Sequence, residues 1–536
     1  MTAEGQPWYR TGVFYEVAVR SYQDSNADGI GDIRGLINRL DHLQWLGITA
    51  VWILPILPSP MRDGGYDVSD FTGVGAEYGT IDDVCDLLEK AHARGIRVIT
   101  DFIVNHSSDK HPWFVEARQP GSRKRDWYVW SDDPGRYPDA RVVFVDTHTS
   151  NWTWDEVAGQ YYWHRFFDHQ PDLNYENPEV QEAMMDAIRF WLDLGFDGLR
   201  LDAVPYLFEA EGTNCENLPA THEYLKRVRA MVDREFPDAV LLAEANQRPN
   251  DVLPYLGEGD ECHMVFHFPV MPRLFLALAT GDVTPIVDTL EATPRIPHGT
   301  QWALFLRNHD ELTLEMVADD ERATLYEAYA PDRAMRKNIG IRRRLSPLLD
   351  GDRRKIELLN AVMFSLPGTP ILYYGDEIGM GDEYLLEDRD GMRTPMQWDA
   401  TPSAGWSDAA PTEFSLPVVT HPSFAPSRVN VEDQVDDSAS LLRFMRNLTE
   451  LRSGLPELAT AAFTPIETGS VGVLGYERDS LTVLANFTDG KHAVAIEGVR
   501  HVAGNGSVNG GAVSLPAFGW IWLRDASEDP PRRHAT

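Results

Sequence analysis

Three times in succession this chain runs an amphipathic helix into a glycine and then a short apolar strand, and that rhythm limits its fold more than any other feature. Ile33, Leu36, Ile37, Leu40, Leu43 and Leu46 recur at helical spacing, Gly47 supplies a natural stop, and residues 49–55 read as a strand. Ile81, Val84, Leu87, Leu88 and Ala91 repeat the pattern before Gly95 and a β-branched strand at 97–104. Val180, Met184, Ile188, Trp191 and Leu192 do so again before Gly195 and a strand at 196–204. Continuous apolar strands alternating with helices indicate a parallel sheet buried on both faces.

Further apolar runs at 14–22, 239–245, 263–268, 302–306 and 371–374 bring the predicted strands to eight, the number that closes a (β/α)8 TIM barrel. The structural alternative is a doubly wound open sheet, but no G-x-G-x-x-G follows the first strand, and Gly29, Gly31 and Gly35 have the wrong spacing. Two stretches break the rhythm. Residues 106–178 are expected to form a small inserted domain, rich in aromatic residues such as Trp127, Trp152, Trp163 and Phe166. Such rings suit stacking on sugars, although most are expected to form the insert's own core. The barrel then comprises 1–105 and 179–440. Gly-rich alternating runs split by Asp489-Gly490 predict a C-terminal antiparallel β-sandwich over 441–525, and a polar, Pro-containing tail covers 526–536.

Lys and Arg number 48 against 83 Asp and Glu, a formal charge of −35, which repels nucleic-acid phosphates and anionic membrane surfaces. No apolar run approaches the ~20 residues of a membrane span, and the N-terminus has no basic patch followed by an apolar stretch. Cys85, Cys215 and Cys262 lie far apart, without C-x-x-C pairing, and are expected to be free thiols. A cytoplasmic protein acting on a neutral small molecule is expected, with self-association into a homo-oligomer left open.

In a β/α barrel the functional residues end the strands, and here the strand ends are crowded with acids. The third strand ends in Asp101-Phe-Ile-Val-Asn105-His106, the fourth in Arg200-Leu-Asp202, the fifth in Glu244-Ala-Asn246 and the seventh in Asn308-His309-Asp310-Glu311. One such acid could be a helix cap or a paired structural carboxylate. A whole rim of them, each after a buried stretch, points to chemistry. No H-E-x-x-H or comparable histidine cluster indicates catalytic zinc.

These same stretches resemble the four signature regions of the α-amylase superfamily of glycoside hydrolases and glucosyltransferases. The resemblance implies Asp202 as nucleophile, Glu244 as proton donor and then base, and Asp310 as the acid that grips the distorted sugar. A retaining mechanism needs one carboxylate to attack the anomeric carbon while a protonated one serves the leaving oxygen. Arg200, two residues from Asp202 on one strand face, is expected to hold that acid ionised, while desolvation keeps Glu244 protonated. The resemblance also implies that His106, His309, Asp67 and Arg393 bind the glucosyl unit together with Gln170 and Arg200. A non-catalytic relative would be expected to lack one of the three acids.

Asp24-Ser-Asn26-Ala-Asp28-Gly29-Ile30-Gly-Asp32 spaces oxygen donors at Asp24, Asn26, Asp28, Ile30 and Asp32 as a hard cation requires, though Gly35 stands where an EF-hand's closing Glu belongs. The superfamily's α-glucosidase branch carries a similar loop with structural Ca2+; the alternative is a tight polar turn. A second site of Asn105, Asp172, Tyr206, Leu207 and Glu209 is implied by resemblance alone. Gln170-Pro-Asp172-Leu-Asn174 and Arg393-Thr-Pro-Met-Gln-Trp398 look like the branch acting on short α-glucosides. Arg62-Asp-Gly-Gly-Tyr-Asp67, Tyr162-Trp-His-Arg-Phe-Phe167 and Glu211-Gly-Thr-Asn-Cys-Glu216 look like its maltose glucosyltransferases. The resemblance therefore implies intramolecular interconversion of maltose and trehalose, the alternative being a hydrolytic α-glucosidase. Ile56 and Leu57 replace aromatic residues expected there, a change that would loosen the acceptor wall.

Overall fold

The structure, a computed structural model, describes residues 6–526. Its centre is a closed barrel of eight parallel strands whose spatial order follows the chain: β1 (Phe14–Val17), β2 (Ala50–Ile53), β3 (Arg97–Ile103), β4 (Gly198–Asp202), β5 (Val240–Ala243), β6 (Met264–Phe266), β7 (Gln301–Phe305) and β8 (Thr369–Tyr373). Almost every strand residue is buried, as expected when side chains fill the barrel on one face and meet helices on the other. Gly47, at φ +84°, ends the helix before β2 in a left-handed turn that a side chain would strain. Register does the rest of the positioning: Asp101 on β3 pairs with Arg200 on β4, and Ile103 with Asp202.

Two local expectations need correction. The predicted helix over 33–46 is two helices, Ile33–Asn38 and Leu40–Leu46, interrupted at Arg39 (φ −108°, ψ 4°). Arg39 donates to Gln23 Oε1 at 2.6 Å and lies 4.0 Å over the Trp398 ring, while Ile33, Leu36, Leu40, Leu43 and Leu46 stay in the core on both sides of the break. The apolar run at 14–22 is a strand only to Val17, and Val19–Tyr22 turns into a short helix. Periodicity cannot mark that switch in a wholly buried segment.

Residues 106–178 leave the barrel after β3 and carry a three-stranded antiparallel sheet of Trp130–Ser131, Gln160–Trp163 and Trp152–Asp155. Trp152 and Trp163 pack with Val129, Tyr137 and Cys215 in a small core of their own, whereas Trp127, Tyr128 and Tyr162 join the main core, so fewer of the rings than expected belong to a separate core of the insert. Between β7 and β8 a second excursion, unforeseen as structure, pairs Leu312–Thr313 and Arg336–Lys337 with Gly340–Ile341. Residues 441–453 differ from expectation: Leu441–Ser453 is a helix packed on the barrel helix Arg353–Ser365, and Thr449 Oγ1 donates to the Leu46 carbonyl at 2.5 Å. The antiparallel sheets begin only at Thr464–Pro465 and pack face to face over Leu484, Val494, Val513 and Ile521. Of the predicted tail at 526–536, all but the first residue lies outside the described residues.

Candidate active site

At the C-terminal mouth of the barrel lies a pocket of about 140 Å³ lined by Asp202, Glu244, Asp310, His106, Asp63, Tyr66, Phe144, Phe166 and Arg389, among others. Asp202 closes β4, and the residue after it, Ala203, takes a left-handed φ of 55° that turns the chain sharply away from the pocket. Arg200, 1% exposed, fixes the floor: its Nη1 donates to Asp101 at 2.7 Å and to Asp202 at 2.6 Å, and its Nη2 lies 2.9 Å from Glu244. The guanidinium can serve three carboxylates because its donors form a rigid planar fork.

Burial pushes Glu244 up to about 7, against the pull of Arg200. The neighbouring Asp202 carboxylate adds to that rise, so of the two acids Glu244 is the one that keeps a proton. Burial still outweighs Arg200 at Asp202, whose carboxyl sits above its ordinary value; the expected effect of Arg200 is present but is not the largest. The two carboxyls sit on neighbouring nitrogens of one guanidinium, Asp202 on Nη1 and Glu244 on Nη2, the close spacing that a retaining mechanism uses.

Asp310 is gripped from three sides, by Arg389 Nη1 at 2.8 Å, Arg393 Nη2 at 3.1 Å and His309 Nε2 at 3.0 Å. These cations, His309 first, carry its carboxyl well below the usual range despite burial. The same acid, with Glu16, raises His309 to about 9 against burial. Asp310 is therefore a fixed negative charge beside a protonated Glu244.

The expected sugar ligands separate into two layers. His106 reaches the pocket, but its Nε2 lies 3.2 Å from the Tyr66 carbonyl. Arg200, His309, Arg393 and Gln170 stand behind the wall. Gln170 donates to Asp63 Oδ2 at 2.9 Å and Arg393 Nε to the His309 carbonyl at 3.1 Å, so they act through residues that line it. Asp67 corrects the reading: wholly buried, it accepts from Ser59 Oγ at 2.7 Å and from the backbone N–H groups of Arg62 and Asp63, pinning the 59–67 turn. The acid in the pocket is Asp63, paired with Arg389 Nη2 at 2.6 Å and pushed by burial to about 6. Within Arg62-Asp-Gly-Gly-Tyr-Asp67 only the path of the two left-handed glycines, Gly64 and Gly65, decides which acid turns inward. Arg389, between two aspartates, reads from sequence as a solvated loop. Ile56 and Leu57 are fully buried and line no part of the pocket.

The insert and the β7–β8 excursion meet over this pocket. Arg141 of the insert donates to Glu216 at 2.8 Å, Glu315 at 3.0 Å and the Tyr206 hydroxyl at 3.0 Å, and Glu315 also accepts from Asn246 at 3.2 Å. Asp146 accepts from the Asn338 backbone at 2.7 Å. Phe144 and Phe166 add an apolar wall.

The two suggested cation sites differ. At the first, Asp24 accepts from the N–H groups of Asn26, Ala27 and Gly29 and from Ser407, Asp28 from Ile30, and Asp32 from Ser25 and Gly35. These bonds close the turn on itself, and no three acids or other metal-binding side chains of that kind converge among the described residues. At the second, Asn105 Oδ1, Asp172 Oδ2 and Glu209 Oε1 are buried without a hydrogen-bond partner. Burial pushes Asp172 to about 8 and Glu209 well above its ordinary value, and the two acids repel each other. Orphaned hard oxygens in one place are the donor set of an oxygen-ligated cation, so these residues fit calcium.

With this barrel, insert and acid constellation in place, the chain belongs to the alpha-amylase family: the model of the alpha-amylase catalytic domain matches residues 16–331 and 342–461. Within it the chain groups with the trehalose synthases. It is 58% identical over 476 residues to the trehalose synthase/amylase TreS of Mycobacterium tuberculosis, covering 88% of this chain and 79% of that protein. It is 54% identical to the trehalose synthase of Pimelobacter sp., covering 89% and 85%. Among solved structures, the alpha-glucosyl transfer enzyme XgtA aligns at TM-score 0.81 with 28% identity, covering 97% of this chain and all of that one. A variant of MutB in complex with glucose aligns at TM-score 0.80 with 27% identity over the same shares.

Proposed function

We propose that this chain interconverts maltose and trehalose by intramolecular transglucosylation, with Asp202 as nucleophile, Glu244 as acid and base, and Asp310 as the charge that holds the sugar. An Asp202 oxygen attacks the anomeric carbon of maltose, the glycosidic bond breaks, and Glu244 gives its proton to the departing oxygen. The freed glucose turns within the pocket. Its anomeric hydroxyl then attacks the glucosyl–Asp202 ester, returns a proton to Glu244, and the new bond is that of trehalose. Water must be kept out while the glucose turns. The observation that carries this reading is the Arg141 clasp, which joins the insert to the β7–β8 excursion over the pocket that Asp202 and Glu244 line. The trehalose synthases among its relatives support the same substrates.

Asp63 and Arg389, with His106, would bind the glucosyl hydroxyls, while Gln170, Arg393 and His309 hold those residues and Asp310 in place. Calcium belongs to the proposal at Asn105, Asp172 and Glu209, with the Tyr206 and Leu207 carbonyls. Bound there, it would supply positive charge to orphaned oxygens and tie the base of the insert to the segment after Asp202. Occupancy of the Asp24–Asp32 loop is read by the stoichiometry of calcium titration, one ion or two. The three cysteines are free thiols, in keeping with the cytoplasm as its compartment, and no helix among the described residues is long and apolar enough to cross a membrane.

The test is incubation with maltose, and separately with trehalose, with the sugars resolved over time. Interconversion with minor glucose is expected; glucose alone would replace this reading with a hydrolytic α-glucosidase.

A further inference from the structure

The chemistry above uses acids on β4, β5 and β7, yet β1 also sends a carboxylate to this centre. Glu16 is wholly buried, and its Oε1 lies 2.6 Å from His309 Nδ1 and accepts the His309 backbone N–H at 3.0 Å. The other ring nitrogen of His309 lies 3.0 Å from Asp310 Oδ2 and 2.7 Å from the Tyr66 hydroxyl. Tyr66 has one hydrogen and two candidate acceptors, His309 Nε2 and Asp101 Oδ2 at 3.0 Å. Asp101 in turn meets Arg200, which holds Asp202.

Which way these bonds point depends on one proton. If His309 is neutral with its proton on Nδ1, bare Nε2 faces the Asp310 carboxylate, and Tyr66 turns its hydrogen to the ring and away from Asp101. If both nitrogens carry protons, Nε2–H serves Asp310 and the Tyr66 oxygen, and Tyr66 donates to Asp101. We propose that Glu16 is a positioning residue for glucosyl transfer: its buried charge keeps His309 doubly protonated and so sets the donor direction of a chain from β1 to Asp202. The burial of all these groups favours the arrangement, because an anion facing the ring on each side offsets the desolvation of the imidazolium. The ring, raised to about 9, agrees with it. The other groups facing this pair are the Trp52 edge, the Tyr373 phenol, kept neutral by burial, and the carboxylate of Asp376, itself pushed by burial to about 7, beside Glu16.

The inference rests on the proposed reaction only through cleavage of the first glycosidic bond. It is therefore tested on loss of maltose, whatever the product, and stands or falls separately from the isomerase reading. Glu16→Gln keeps an acceptor for Nδ1–H but removes the charge. The expected result is a kcat lowered about 10–100-fold, the range for a residue that orients another, with the smaller part of the loss in KM. The ratio of variant to wild-type kcat should rise as pH falls from 8 to 5.5, because acid restores the second proton to His309. Taking the ratio cancels the titration of Glu244. A full kcat, or a ratio flat with pH, overturns the proposal, since a merely space-filling Glu16 gives no pH-dependent rescue. If the variant does not fold, nitrogen-15 NMR of the wild-type ring at pH 8 decides: two protonated ring nitrogens are expected, and a neutral ring refutes it.

Discussion

Two buried clusters of acids lie on either side of β4 and its following loop, and they are built on opposite principles. At the barrel mouth Asp202, Glu244 and Asp310 are matched by Arg200, Arg389, Arg393 and His309, each within 3.1 Å of a carboxylate oxygen. At the base of the insert, Asn105, Asp172 and Glu209 each keep one buried oxygen that no described residue satisfies. The protein itself sets protonation in the first cluster, leaving one acid protonated beside two that carry charge. The second leaves oxygens without partners, which is why calcium is proposed there.

The largest effect expected from breaking the matched cluster is at its nucleophile. Asp202→Asn should lower maltose turnover by about 10⁴-fold or more, as removal of a member of a catalytic unit does elsewhere, with the melting temperature retained. Residual turnover near wild type would move the nucleophile elsewhere. Next is the pair that sequence confuses. Asp63→Asn removes one of the two pocket carboxylates that hold Arg389, leaving Asp310 alone to place it, and should cost about 10–100-fold in kcat/KM. Asp67→Asn should instead cost about 1 kcal/mol of stability through its lost turn bonds, measured by denaturant unfolding, with kcat/KM nearly unchanged. The reverse outcome would return Asp67 to the sugar.

Much of this was legible in sequence where burial and periodicity coincide. All eight strands were, because a strand buried on both faces is an unbroken apolar run, and the acids that end such runs stand out against it. Asp202, Glu244 and Asp310 were among the acids found that way, with Asp101 and Glu311, and the family resemblance singled out the three. The rest depended on where loops turn. Nothing in Arg62-Asp-Gly-Gly-Tyr-Asp67 states that Asp63 faces inward, nor can the polar composition of 388–390 separate Arg389 from a solvated charge. The Arg141 clasp joins residues 174 positions apart through two irregular segments, which no local pattern encodes. The alternating oxygens of 24–32 have the spacing of a cation loop, and sequence does not show that the same oxygens also accept the loop's own backbone N–H groups.

The clasp offers a middle-sized test. Arg141→Ala should raise the glucose released per trehalose formed by about tenfold, corresponding to one hydrogen-bonded ion pair's ~1.4 kcal/mol in partition. Total maltose consumption should change less. An unchanged partition would mean that the pocket excludes water without it.

Proton bookkeeping predicts a further, graded effect. Glu244 must carry its proton to serve the leaving oxygen, and it is raised to about 7, so kcat/KM for maltose should fall tenfold per pH unit above that value. Asp202 must be ionised, and its carboxyl is raised, so the acid limb should begin above the ordinary aspartate range. In Glu244→Gln, assayed with a glucosyl fluoride whose leaving group needs no proton, the alkaline limb should vanish. Its persistence would assign that limb to another group.

The smallest effect is expected at the unmatched cluster, and it is what separates the two principles. Calcium at 1,000 times its Kd stabilises by about 4 kcal/mol, which in a chain this long, at about 2.1 cal/mol/K of unfolding entropy per residue, amounts to a rise of about 4 °C in melting temperature. Chelation should remove that increment in the wild type. In Asp172→Ala, added calcium should give no such shift, while maltose turnover at low temperature is lowered less than in any variant of the matched cluster. Asp24→Ala tests the other loop by the same measurement: if its loss, and not that of Asp172, abolishes the calcium shift, orphaned oxygens are a poor guide to ion binding in this fold and the spacing of the 24–32 loop is the better one.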